Sequence, residues 1–148
     1  GVLYTINSII KRYGVNKMTL EEAKEFFSED KYAVVTSGIE ILEPGIGHSK
    51  VMMKIDDRHK NALGYVMGGA YFTIADFAFA VATNDKQNTT VTTTSTISYL
   101  KPCMTQIMYC EAKLIKEGKT TCFYLMEICD EDGKLCATVN TCGNHIKK

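Results

Sequence analysis

The stretch NALGYVMGGAYFTIADFAFAVATN, residues 61–84, sets one carboxylate, Asp76, in a run otherwise made of Ala, Tyr, Phe, Thr, Ile and Val, and opens that run with the pair Gly68–Gly69. An unpaired carboxylate withdrawn into apolar surroundings costs several kcal/mol by order of magnitude, so such a residue is paired, neutralised or employed. Employed, it is a base or nucleophile whose pKa rises as water is removed. Kept structural, it accepts hydrogen bonds from the backbone or from a Thr or Tyr. The glycines carry a similar choice. They either ease helix–sheet packing or expose backbone N–H groups at a helix start, where the dipole favours negative charge.

The elements that must position these residues follow from periodicity. Residues 67–83 are apolar nearly all round; at 17 residues, with two glycines and Asp76, the run predicts a helix buried in a protein core and not a membrane span. Ahead of it, AVVTSGIEILE and HSKVMMKID predict two strands around a turn at Pro44, Gly45 and Gly47, with strand texture from about residue 32. Behind it come four strand-like runs, TTVTTTSTISYL, QIMYCEAKLIKE, TTCFYLMEICD and KLCATVNTCGNHI. Hairpin signals EGK and DEDGK separate the last three. In the second run Met108, Cys110, Ala112 and Leu114 fall on one face, and Tyr109, Glu111 and Lys113 on the other. At the N-terminus, Leu3, Ile6, Ile10 and Tyr13 predict a helix over residues 2–13, and TLEEAKEFF a second one behind a Thr19–Glu22 capping box. The expected architecture is α+β: one domain over 1–148, with a helical extension at 1–31 and a core at 32–148. In that core a curved antiparallel sheet of five or six strands wraps one long helix and leaves its edges open to a second copy.

Bulk properties exclude several classes. Seventeen basic residues balance seventeen acidic ones with no block of one sign, which argues against nucleic acid or a polybasic membrane patch. The cysteines at 103, 110, 122, 129, 136 and 142 form no C-x-x-C pair and have no His at zinc spacing, so no metal site is expected and the thiols read as reduced core residues. GVLYTINSII precedes its basic pair KR, the reverse of a leader peptide, and a cytoplasmic location is expected. His48, His59 and His145 accompany no nucleophile motif and receive no role, and the cysteines lack a partner base.

Asn61, Gly64, Gly68–Gly69 and Asp76, in this register and within this strand order, resemble the motif of the phenylacetic-acid-degradation-type branch of hotdog acyl-CoA thioesterases. The likeness extends over residues 32–146. It implies the hotdog fold, a homodimer or homotetramer and hydrolysis of an acyl-CoA to free acid and CoA. No cofactor is implied, CoA entering only as part of the substrate. It further implies Asp76 as general base or nucleophile acting on substrate held by a partner subunit. The N–H of Gly68 or Gly69 becomes the oxyanion donor, a role that removal typically reveals as about a hundred- to thousandfold loss of rate. Asn61 would orient water or the thioester carbonyl, and Thr92 aligns with a position that assists the water. Met67 stands where the family's commonest motif has His, which leaves an apolar, adaptable pocket mouth. A hotdog dehydratase is disfavoured by that missing His. The competing class is a non-catalytic acyl-CoA sensor on the same fold. Its effector would have to be the N-terminal segment, where Lys11, Arg12, Lys17, Lys24 and Lys31 face five acidic residues, a poor balance for phosphate binding.

Overall fold

The computed structural model describes residues 18–147, so the helix expected over residues 2–13 lies outside the described residues. Helix α1 (Leu20–Phe26) starts at the expected cap: Thr19 Oγ1 accepts the Glu22 N–H, and the Glu22 carboxylate accepts the Thr19 N–H. A 3₁₀ turn (Phe27–Glu29) and a π-type turn (Tyr32–Thr36) follow, the latter closed by the Ser37 N–H on the Tyr32 carbonyl at 2.9 Å. Strand texture expected from residue 32 is corrected here: AVVT is helical and the first strand begins at Ile39. Ala33 is buried and Val34 packs against the core while Val35 is exposed, a helical pattern that tertiary burial imposes on β-branched residues.

The strands are β1 (Ile39–Glu43), β2 (His48–Lys54), β3 (Thr89–Tyr99), β4 (Ile107–Glu117), β5 (Thr121–Cys129) and β6 (Leu135–Ile146). They form one antiparallel sheet in the order β1-β2-β4-β5-β6-β3. Both hairpin signals join neighbouring strands. The long helix α2 (Gly68–Thr83) connects β2 to β3 and lies on the sheet's inner face. Along β4 the buried residues are Met108, Cys110 and Ala112, the face that alternation assigns to the core. Helix and sheet are tied as well as packed: Ser49 Oγ donates to the Ala78 carbonyl at 2.7 Å, and the Tyr124 hydroxyl to that of Ala82 at 3.2 Å. All six cysteines are free thiols. No helix among the described residues is long and apolar enough to cross a membrane.

His145 proves structural. Its Nδ1 is 2.8 Å from Thr90 Oγ1 and its Nε2 contacts the Glu117 carboxylate, a buried polar link joining β6, β3 and the end of β4. Nearby, a Cβ on Gly143 would lie 2.6 Å from Phe79 Cζ and 2.9 Å from Thr90 Cγ2, so β6 meets α2 closely only because this residue lacks a side chain. Gly143→Ala is therefore expected to destabilise the fold by about 1–3 kcal/mol, read as a lower midpoint in urea with an unchanged slope.

Candidate active site

Helix α2 shows why a carboxylate sits in an apolar run. Tyr71, Ile74, Ala75, Phe77, Ala78, Phe79, Val81 and Ala82 are buried. Gly69 and Asp76 are exposed, with Phe72, Thr73 and Ala80 half-buried. These five positions follow helical spacing and form one stripe, the face that the sheet does not cover. The expectation of a buried Asp76 is thus corrected: it occupies the face of the helix that the described residues leave open.

Its carboxyl is nevertheless no ordinary surface acid. Although the side chain reaches solvent, the surrounding chain screens the carboxyl from water and pushes its pKa up; the Asp30 carboxylate adds to the rise, and the Thr92 hydroxyl, which hydrogen-bonds to the charged form, opposes it. Thr92 arrives from β3 at a bulge. It pairs with Gly143 and Thr94 with Cys142, leaving Thr93 as the extra residue. Bulges re-aim side chains, and this one lies where β3 faces Asp76. Asp30 belongs to the turns after α1, which pack on α2 through Phe27 against Phe77 at 5.8 Å, edge to face.

The start of α2 is a separate locus. The preceding loop is braced by buried His59, whose Nδ1 accepts the Asp56 N–H while Nε2 meets the Ser37 carbonyl at 2.8 Å. The His59 carbonyl accepts the Met67 N–H at 2.7 Å, setting the angle at which the helix begins. Asn61 Oδ1 accepts the N–H groups of Leu63 and Tyr65, at 3.0 and 3.1 Å. That fixes the oxygen as the engaged end of the amide and leaves Nδ2 as its donor end. Gly64 takes φ +84°, a left-handed turn that only glycine adopts without strain. Met67 is the N-cap and supplies no side-chain cap. The N–H groups of Gly68 and Gly69 make no hydrogen bond among the described residues. Beside them opens a cavity of about 450 Å³ bounded by Val66, Gly68, Tyr71 and Tyr99, with Leu100 and Pro102 from the loop after β3.

Asn61, Gly68 and Gly69 therefore share one locus, and Asp76 with Thr92 another. Seven or eight residues of helix separate them, about 10–12 Å along the axis. Sequence reasoning missed Asp30 and Tyr99, each of which meets its partner only through the fold. A second cavity of about 440 Å³ lies on the outer sheet face between Lys50, Tyr109, Lys113 and Cys129. Two of its carboxylates are already engaged, Glu111 by His48 at 2.7 Å and Glu127 by Lys113 at 2.6 Å.

A carboxylate of raised pKa and a helix start with open amides are the parts that hydrolysis of an activated acyl group requires, and relatedness points the same way. Residues 63–137 match the thioesterase superfamily model. The chain belongs to the thioesterase superfamily. It is 31% identical to the acyl-coenzyme A thioesterase PaaI of Escherichia coli K12 over 101 residues, covering 68% of this chain and 72% of that one. Its structure resembles that of the E. coli PaaI protein with a TM-score of 0.78 at 25% identity, covering 88% of this chain and 97% of the other. A hypothetical thioesterase protein of Streptococcus pneumoniae, crystallised with coenzyme A, shares the fold, with a TM-score of 0.75 at 21% identity over 82% of this chain and 98% of that one. The chain is thus a hotdog thioester hydrolase of the PaaI type, and the expected sheet-around-helix architecture is the hotdog fold.

A raised carboxylate pKa means that the folded thioesterase binds this proton more tightly than the unfolded chain does. Folding then loses stability as pH rises through that pKa. Asp76→Asn is expected to hold or raise Tm at about pH 8 and to approach the parent as pH falls well below the ordinary Asp pKa of about 4, where both side chains are neutral. A lower Tm at neutral pH would instead mark a satisfied structural carboxylate.

Proposed function

We propose that this chain is an acyl-CoA thioesterase in which Asp76 is the general base or nucleophile and an N–H of Gly68 or Gly69 binds the developing oxyanion. The substrate class is taken from the E. coli relative's name, acyl-coenzyme A thioesterase. The observation that carries the residue roles is the pairing of two open amides at the start of α2 with an acid on the helix's one uncovered stripe. In the reaction the carboxylate drives attack on the thioester carbon. The carbonyl oxygen gains charge against the amide, and the C–S bond breaks to release CoA and the free acid. Thr92 holds the carboxylate or the water through its hydroxyl, and Asn61 donates from Nδ2. The chemistry balances with water alone, so the reading calls for no metal or organic cofactor.

The separation of about 10–12 Å forbids a single carbonyl from touching both loci of one chain. A second copy resolves this. Strand β3 is an edge of the sheet, 11 residues long, with Thr92, Thr93, Thr94, Thr96 and Ser98 exposed. A long open edge is a template for pairing, and two-fold pairing there would bring the Asp76–Thr92 locus of one copy toward the glycine locus of the other. The proposed active unit is a homodimer with two composite sites, on which a tetramer is compatible.

Thiol release from a panel of acyl-CoAs, with a protein-only blank for the six cysteines, is expected to fall at least about a hundredfold in Asp76→Asn with folding unchanged. Undiminished turnover would return Asp76 to a structural role; saturable acyl-CoA binding without turnover would make the chain a binding protein. Composite sites make a second forecast. Asp76→Asn and Asn61→Ala proteins, each impaired alone, should regain turnover when unfolded and refolded together, because each mixed dimer holds one intact site. Activity no higher than the better parent would exclude the shared site.

A further inference from the structure

The two phenols at the cavity beside α2 are employed in opposite ways. Tyr99, the last residue of β3, donates its hydroxyl hydrogen to the Gly68 carbonyl at 2.9 Å. The Tyr71 hydroxyl instead accepts, taking the Cys103 N–H at 2.8 Å, and its own hydrogen meets no acceptor among the described residues. We infer that the Tyr71 hydroxyl is a specificity-determining donor, kept for an acceptor oxygen that the substrate carries near its thioester: the amide carbonyl of the CoA arm nearest the sulfur, or an oxygen on the acyl group. The inference rests on the proposed reading of the start of α2 as the seat of the thioester carbonyl.

A donor left in this state asks for a reason. Tyr71 is 4% exposed, and a buried hydroxyl hydrogen without a partner is costly because it has lost water and gained nothing. Protein interiors satisfy nearly all such groups. With the Cys103 N–H already on its oxygen, what the hydroxyl has left to offer is donation. Burial pushes its pKa above the ordinary tyrosine value, against the opposing pull of the Cys103 N–H, so the proton stays in place through the neutral range.

The place fits substrate. Tyr71 and Gly68 bound the same cavity of about 450 Å³. They lie three residues apart on α2, about 4–5 Å along the axis, and helical side chains lean back toward the N-terminus. The Tyr71 ring is set by its edge-to-face contact with Tyr99, their centroids 5.7 Å apart. The other polar side chains of the cavity are engaged, Tyr99 by Gly68 and Lys101 by the Asp130 carboxylate at 2.9 Å. Val66, Leu100 and Pro102 offer no hydrogen-bonding side chain. An oxygen brought into this space therefore finds one hydroxyl hydrogen unspent. A substrate without such an oxygen leaves that hydrogen unpaired, which is how a site of this kind discriminates.

Tyr71→Phe removes the hydroxyl and keeps the ring. It also strips the Cys103 N–H of its acceptor, so the test varies the substrate as well as the protein. Hexanoyl-CoA is compared with oxohexanoyl-CoAs whose ketone is moved along the chain. Each acyl group is also carried on a CoA analogue in which the amide nearest the sulfur is a hydrocarbon link. With the arm as the source, the variant loses about tenfold or more in kcat/KM on every true acyl-CoA, and hexanoyl on the analogue is spared. With the acyl group as the source, the loss follows the ketone at one chain position and ignores the thiol. An equal loss on all substrates, hexanoyl on the analogue included, or no loss on any would overturn the role of Tyr71 and leave the thioesterase reading intact. A Phe variant that fails to fold is replaced by difluorotyrosine at position 71, which keeps ring and hydroxyl but ionises at lower pH. Its kcat/KM should then fall at lower pH than the parent's on the oxygen-bearing substrates alone, and the same profile on every substrate would overturn the inference. A parent that hydrolyses none of these thioesters would overturn both readings.

Discussion

A single sheet covers a helix from one side, yet α2 is apolar on nearly every side. That mismatch governs the rest of the molecule. Six strands curl around the helix and bury Ile74, Phe77, Phe79 and Val81 against Met53, Met108, Met126 and Val139. The turns after α1 close a further part through Phe27 on Phe77. What the described residues leave open or half-open is a stripe of Gly69, Phe72, Thr73, Asp76 and Ala80, and the helix's carboxylate lies on it. A carboxylate at any of the buried positions would have needed an ion pair inside the core.

The sheet's two edges are treated unequally for a related reason. Strand β1 has five residues and is packed by α1 and the turn at Tyr32–Thr36, so that edge is short and sheltered. Strand β3 is more than twice as long and carries exposed hydroxyls. It ends in Tyr99 at the helix start and faces Asp76 at Thr92. One strand thus serves both loci of the proposed site and also offers the open edge. Assembly along β3 and the proposed chemistry are for that reason one structural problem.

Alternation made β4 readable, since Met108, Cys110 and Ala112 fall inward at every second position, and punctuation by Pro44, Gly45 and Gly47 made the β1–β2 turn readable; β6 is less regular, with Thr141 and His145 among its buried residues. The Thr19–Glu22 box was legible because capping is local. Residues 32–36 were not: AVVT has strand composition, and only its packing, with Ala33 inward and Val35 outward, makes it a turn. The position of Asp76 failed for another reason. When most sides of a helix are apolar, the sequence pattern holds no direction, and the open face is decided by where the sheet ends. Asn61, Gly64, the glycine pair and Asp76 were legible as candidates because the family motif they resemble runs along one loop and one helix. Tyr99 and Asp30 were missed because their partners lie 31 and 46 positions away. Polarity alone does not announce such pairs.

Helix starts in this chain show where local stability has been set aside. The start of α1 carries a complete capping box, and the 3₁₀ turn at Asp57–His59 carries another, from Asp56 and His59. The start of α2, the longest helix described, has Met67 as N-cap with no side-chain bond, followed by two glycines. A Ser or Asp cap would contribute about 1 kcal/mol, and each glycine costs a similar amount against alanine within a helix. A cap would also occupy an amide at the start of the helix. Asp76, held above its ordinary pKa, lowers stability at neutral pH on the same helix. These concessions fall together on α2, while the starts of α1 and of the Asp57–His59 turn are capped. Departures from local rules that gather in one place are the mark of a site, because substrate, and not the fold, is what uses the groups left open.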